Sequence, residues 1–222
     1  MYELTNEKIE NQQFISKVFM WMFFGLFVTG VVATLSTNIP FLVKISSSLS
    51  GVVVISIIEI VFMIIIHKKV WEMNASEAAT YFIIFTMING LTFSSIFVHY
   101  EMQSTIVMFF ICSATFGIMG TIGYFTKKDL TKWGNCLLNI LLGVLITLIV
   151  NLVLRNSIVD MMNSCVCVLL FMGYIAYDIQ NLKKIKYSNK NNDCMAISGA
   201  LMLYIDFINL FVHLLKLFAK EK

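Results

Sequence analysis

Seven stretches of this chain are each apolar enough and long enough to cross a lipid bilayer as a helix, and little is left between them. A hydrocarbon core about 30 Å thick needs roughly 17–25 residues of helix. Backbone groups there must satisfy one another, so a long apolar run in lipid is helical. The pattern predicts spans near 14–36, 48–67, 79–99, 104–125, 134–154, 157–180 and 196–218. Connections this short make neighbouring helices antiparallel, so the expectation is an all-α integral membrane protein. Residues 1–222 then form a single membrane domain, a seven-transmembrane-helix bundle.

Composition removes the alternatives. The chain is 59% hydrophobic and only 13% charged, about half the charge of a soluble domain. One proline and 11 glycines exclude a linker-rich or low-complexity protein. The net charge is only +3 and no basic tract is interleaved with aromatics, so nucleic acid is not an expected partner. The opening "MYELTNEKIENQQ" lacks the positive head and cleavage site of a signal peptide, so the first apolar segment is expected to stay as a helix. Cys112, Cys136, Cys165, Cys167 and Cys194 lie mostly in apolar segments. Cys165-Val-Cys167 lacks redox or zinc spacing, and all five read as small buried hydrophobes.

Basic residues set the orientation. Lys8, Lys17, Lys68, Lys69, Lys127, Lys128, Lys132, Lys183, Lys184, Lys186 and Lys190 fall on one side, and Lys44, Arg155, Lys216, Lys220 and Lys222 on the other. Eleven of the 16 basic residues on the N-terminal side put the N-terminus in the cytoplasm and the C-terminus outside. A re-entrant last segment would instead leave both ends cytoplasmic.

Against this background the acids inside spans stand out, because a carboxylate in hydrocarbon costs several kcal/mol unless it is relieved. Glu59 lies in the second span, Asp178 in the sixth and Asp206 in the seventh. Helical spacing puts Gly199, Asp206, Asn209 and His213 on one arc, and Cys167, Phe171, Tyr174, Asp178 and Asn181 on another. If the two arcs face each other, each aspartate relieves the other. Two such carboxyls cannot both ionise cheaply and share a proton, which makes a proton sensor or a cation ligand. The plainer reading has each acid hydrogen-bonded separately, fixing only helix packing. Glu59 is a third member of the group or a partner of Lys68, Lys69 or His67. Gly117, Gly120 and Gly123 in the fourth span read as a close-packing face.

Four ordered blocks carry a family resemblance: "NGLTFSSIFVHYEMQS" (89–104), "SATFGIMGTIGYFTKKDLTKWG" (113–134), "GYIAYDIQNLKKI" (173–185) and "GALMLYIDFINLFVHLLKLF" (199–218). They resemble the third, fourth, sixth and last helices of the Bax-inhibitor family, the transmembrane Bax inhibitor motif proteins. "KVFMWMFFGLFVTG" (17–30) is similar to the bacterial branch.

That resemblance implies a seven-helix bundle with a central C-terminal helix, in the inner (plasma) membrane of a bacterium. It implies a pH-sensitive, calcium-permeable leak channel with Asp178 and Asp206 as pH sensor and gate and as oxygen ligands for Ca²⁺. Glu59, Asn209, His213, Tyr174 and Asn181 are expected as ion-pathway or supporting polar groups. No cofactor is implied beyond Ca²⁺ as the permeant ion. Where relatives carry an arginine near the end of the second helix, this chain reads "HKK", leaving Lys68 or Lys69 as the basic partner. The alternative is a regulatory role, binding a membrane protease or a stress-response protein with ion leak incidental.

An enzyme is not expected. Tyr177-Asp178 mimics the first aspartate of intramembrane aspartyl proteases, but Leu203-Tyr204-Ile205 replaces their Gly-x-Gly before the second. Their Pro-Ala-Leu element is missing too, since Pro40 is the one proline. A retinal protein needs a mid-membrane lysine in the last span, and Lys216 sits six residues from the end.

Overall fold

A computed structural model describes residues 2–69, 72–185 and 192–222, which are almost entirely helical. The helices are α1 (Tyr2–Ser36), α2 (Pro40–Ser47), α3 (Leu49–Lys69), α4 (Ala75–His99), α5 (Met102–Phe125), α6 (Thr131–Leu154), α7 (Ser157–Lys184) and α8 (Asn192–Phe218). Among the described residues there is no strand, only an isolated bridge between Tyr100 and Glu221. Lys186 and Lys190, used in the charge asymmetry, lie outside the described residues, as do the side chains of Lys8 and His67.

Six helices are long and apolar enough to span: α1 from Glu10, and α4 through α8. The second predicted span, 48–67, coincides with α3 (Leu49–Lys69), and a short helix, α2, precedes it. Helices α2 and α3 form a pair bent by 82°, counting as a seventh span only if taken together. Helix α2 lies between the first two predicted spans, and Pro40 starts it at a position where a missing N–H costs nothing. Ser48 then leaves the helical region at ψ 140°, and its Oγ accepts from Gly51 N at 3.1 Å. The bend requires glycine at 51, since a Cβ there would lie 1.9 Å from Ile45 O.

Other boundaries lengthen the predicted spans with polar first turns. Helix α4 starts at Ala75 because Asn74 and Glu77 form a reciprocal capping box. Helix α7 is capped by Asn156, whose Oδ1 accepts from Ile158 and Val159. Helix α8 runs unbroken for 27 residues, and 61% of its apolar window is buried, against 17–39% in the other five spans. It is the most buried span, as polar groups in lipid require of the helix that carries them.

Two compact units divide the described residues. One takes Met1–Glu101, Ile185–Tyr204 and Glu221–Lys222, and the other Met102–Lys184 and Ile205–Lys220. In the first, three helices run parallel in register. Lys17 pairs with Asp193 at 2.7 Å, Met73 O accepts from Cys194 Sγ, and further along Thr29 meets Tyr204 at 2.6 Å. Trp21 and Tyr204 both pack edge-on against Phe82. Contacts advance in the same direction on α1, α4 and the first part of α8. Helix α3 runs back along α4, with Glu59 on Thr92 and Phe62 near Tyr81.

In the second unit α6 and α7 form an antiparallel hairpin turned by Arg155, the one non-glycine residue at positive φ (51°) among those described. Asn151 holds the turn, donating to Asn156 O and to Asp160 and accepting from Asn156 N. Thr147 donates to Asn163 across the pair.

Candidate functional site

The second unit brings Asp178 and Asp206 together. Helix α7 is fixed on two sides beside Asp178. Against α5, a Cβ on Gly123 would lie 2.3 Å from Ala176 O, and one on Gly120 2.7 Å from Ile179. Against α6, Tyr177 lies over Gly134 and Leu137 over Gly173. Gly117 meets nothing within 4 Å, so the expected three-glycine face is a two-glycine face. Helix α5 also holds the second part of α8, through Phe109 and Phe116 on Phe207 and through Cys112 Sγ donating to Phe207 O.

Between helices so placed, the Asp178 and Asp206 carboxyls lie close enough to interact directly with each other. Their residues are 6% and 5% exposed, well short of solvent. Carboxylates have no proton to donate, so a hydrogen bond between two such carboxyls requires one shared proton. Asp206 Oδ2 is buried without a hydrogen-bond partner among the described residues. The Tyr174 side chain lies within electrostatic reach of both acids.

The remaining predicted residues fall elsewhere. His213 is buried two turns beyond Asp206, with Nδ1 3.3 Å from Ser164 Oγ and its ring stacked on Phe171. Asn209 donates to Ile205 O of its own helix at 2.8 Å and is thereby taken out of the acid pair. Asn181 is half-buried, with no side-chain hydrogen bond found for it among the described residues. Glu59 belongs to the first unit, where it accepts from the Thr92 hydroxyl at 3.0 Å. Lys68 and Lys69 are exposed and form no ion pair with it among the described residues. Nine residues of helix separate Lys68 from Glu59, about 14 Å, so a hydroxyl replaces the lysine partner expected for this acid. No group of three or more His, Cys, Asp or Glu side chains is placed to hold a metal among the described residues. Cys136 and Cys165 are exposed, unlike the other three cysteines.

Sequence reasoning missed two polar contacts. Tyr204, fully buried, meets Thr29 Oγ1; Thr29 can give its one proton to Gly25 O or Thr86 O, which lets the tyrosine donate to it. Gln180, also buried, accepts from Leu130 N and donates to Lys128 O, both at 2.8 Å. Helical spacing held the signal for Gln180: two residues past Asp178, it faces away from the acid pair.

Apolar spans with a buried acid pair define a multi-pass membrane protein with a polar interior. A family model described as "Inhibitor of apoptosis-promoting Bax1" matches residues 11–222. The inner membrane protein YbhL of Escherichia coli is 31% identical over 218 residues, covering 95% of this chain and 93% of the relative. An uncharacterized protein of Borreliella burgdorferi is 33% identical over 230 residues, covering 100% and 99%. An uncharacterized membrane protein of Streptococcus pyogenes is 29% identical over 223 residues. The chain belongs to the Bax-inhibitor family.

Proposed function

We propose that this protein is a pH-sensitive, calcium-permeable leak channel in which the Asp178–Asp206 pair is both proton sensor and gate. The observation that carries the reading is the direct approach of two buried carboxyls between α7 and α8. While one proton is shared, the contact holds the two helices together. Without that proton, two negative charges face each other where the dielectric is low, and the helices separate or take up a cation. Ca²⁺ prefers six to eight oxygen ligands. Two carboxyls supply only part of such a shell, so a passing ion keeps water, which suits permeation better than storage.

Seven crossings, with the N-terminus in the cytoplasm and the C-terminus outside a bacterial plasma membrane, complete the proposal. The parallel register of α1 and α8 supports an odd number of crossings, with α2 and α3 together returning the chain between α1 and α4.

The test is Ca²⁺ flux into proteoliposomes as a function of pH. An amide at 178 or 206 donates permanently to its partner, so Asp178→Asn and Asp206→Asn are expected to give low flux with a flattened pH response. Unchanged, pH-dependent flux in the double variant would sink the reading. No flux from the purified wild-type protein would point instead to a role in binding another membrane protein.

A further inference from the structure

The α5–α6 connection, residues 126–130, carries a second feature that the acid pair does not use. Lys127 and Lys128 lie in it and Lys132 follows in the first turn of α6, all three exposed. No ion pair or hydrogen bond of their ammonium groups is found among the described residues. Phe125 before them is 72% exposed and Trp133 after them 59% exposed. An exposed Trp at the end of a span belongs at the level of lipid headgroups, and the apolar Phe125 ring faces the acyl chains just below.

The loop's one acid does not offset these lysines. Asp129 is paired with Lys184 at 2.6 Å and accepts from the Thr131 hydroxyl and amide. The Lys184 ammonium, then Thr131, holds this carboxyl well below the usual carboxylate range. A contact to a carboxyl held low persists above its ordinary pKa of about 3.9 and weakens only below it. Between pH 5 and 8 Asp129 and Lys184 therefore cancel, and the loop keeps three positive charges. The backbone beneath them is held at two points by Gln180, through Lys128 O and Leu130 N. Lys183, exposed as well, is occupied by Tyr124, donating to its carbonyl oxygen and lying over its ring at 4.6 Å.

From the juxtaposition of three unpaired lysines, two flanking exposed aromatics and a backbone held by Gln180, we propose that this loop is a binding site for the headgroup of an anionic phospholipid. The lysines supply the charge for a phosphodiester, and Phe125 and Trp133 place that charge at headgroup depth. A soluble phosphate would gain nothing from the aromatics. The site stands independently of the channel reading, since it needs neither ion flux nor titration of the acid pair.

Native mass spectrometry of the detergent-solubilised protein tests it, with phosphatidylglycerol and phosphatidylcholine added in turn. Wild type is expected to retain the anionic lipid about tenfold better, with the preference falling as ionic strength rises. Lys127→Gln, Lys128→Gln and Lys132→Gln combined should abolish the preference, and Lys132→Gln alone should lower it. Lys44→Gln, Lys68→Gln and Lys69→Gln combined remove the same charge elsewhere and should leave it intact. Melting temperatures of the variants confirm that each is folded. Equal retention of both lipids by wild type would overturn the proposal. So would equal loss in the two triple variants, or displacement of the lipid by millimolar inorganic phosphate.

Discussion

At the scale of single residues, the polar groups of this protein differ in what their removal leaves behind. Thr29 and Tyr204 illustrate the asymmetry. Tyr204→Phe removes a donor, but Thr29 still has two carbonyls to bond, so the cost is expected near 1 kcal/mol. Thr29→Val leaves the Tyr204 hydroxyl buried without its partner and should cost more, about 1–3 kcal/mol. Unfolding both variants in mixed micelles measures the difference, and an equal or reversed order would show that the hydroxyl finds another acceptor. The acid pair was legible from sequence because each aspartate falls on a polar arc and the two helices are consecutive. The bond between Tyr204 and Thr29 was not, because both residues lie in otherwise apolar runs where neither breaks the hydrophobic pattern. Lys68 and Lys69 do not partner Glu59 because nine and ten residues of helix separate them from it, a distance that charge complementarity does not express.

At the scale of elements, apolar length alone located the spans, and the exceptions trace to local geometry. The break between α2 and α3 depends on Ser48 turning extended and on Gly51 admitting Ile45 O, which periodicity cannot express. The glycines of α5 show the same limit. Steps of three residues drift by about 60° each, so Gly117 ends about 120° from Gly123 and cannot share its contact. Two substitutions separate these positions. Gly117→Ala has open space and should leave the melting temperature unchanged. Gly123→Ala drives a methyl group onto the Ala176 backbone and should cost about 1–3 kcal/mol. If both are neutral, α5 and α7 are less closely packed than the Gly123–Ala176 approach implies.

At the scale of the molecule, direction is the informative property. The first and last helices run the same way through the first unit, from Lys17 and Asp193 to Thr29 and Tyr204. Near the other end of α4, Lys222 N donates to His99 O at 2.9 Å. Single cysteines introduced at Gln12 and at Lys220 in a cysteine-free background should therefore react with an impermeant maleimide from opposite sides of the membrane. Reaction from the same side would require an even number of crossings and overturn the proposed topology. Hydropathy located the apolar segments and lysine counting gives an orientation that the labelling tests, while the parallel relation of the two helices is visible only through contacts far apart in sequence.

Asp178 and Gln180 have one more consequence. Two residues apart on α7, they point about 200° from each other around its axis, one to the acid on α8 and one to the loop ahead of α6. The helix is thus geared. Any torsion that swings Asp178 out of mesh with Asp206 swings Gln180 out of mesh with Lys128 and Leu130 by the same angle. One rotation of α7 would therefore be felt both in the interior and at the surface.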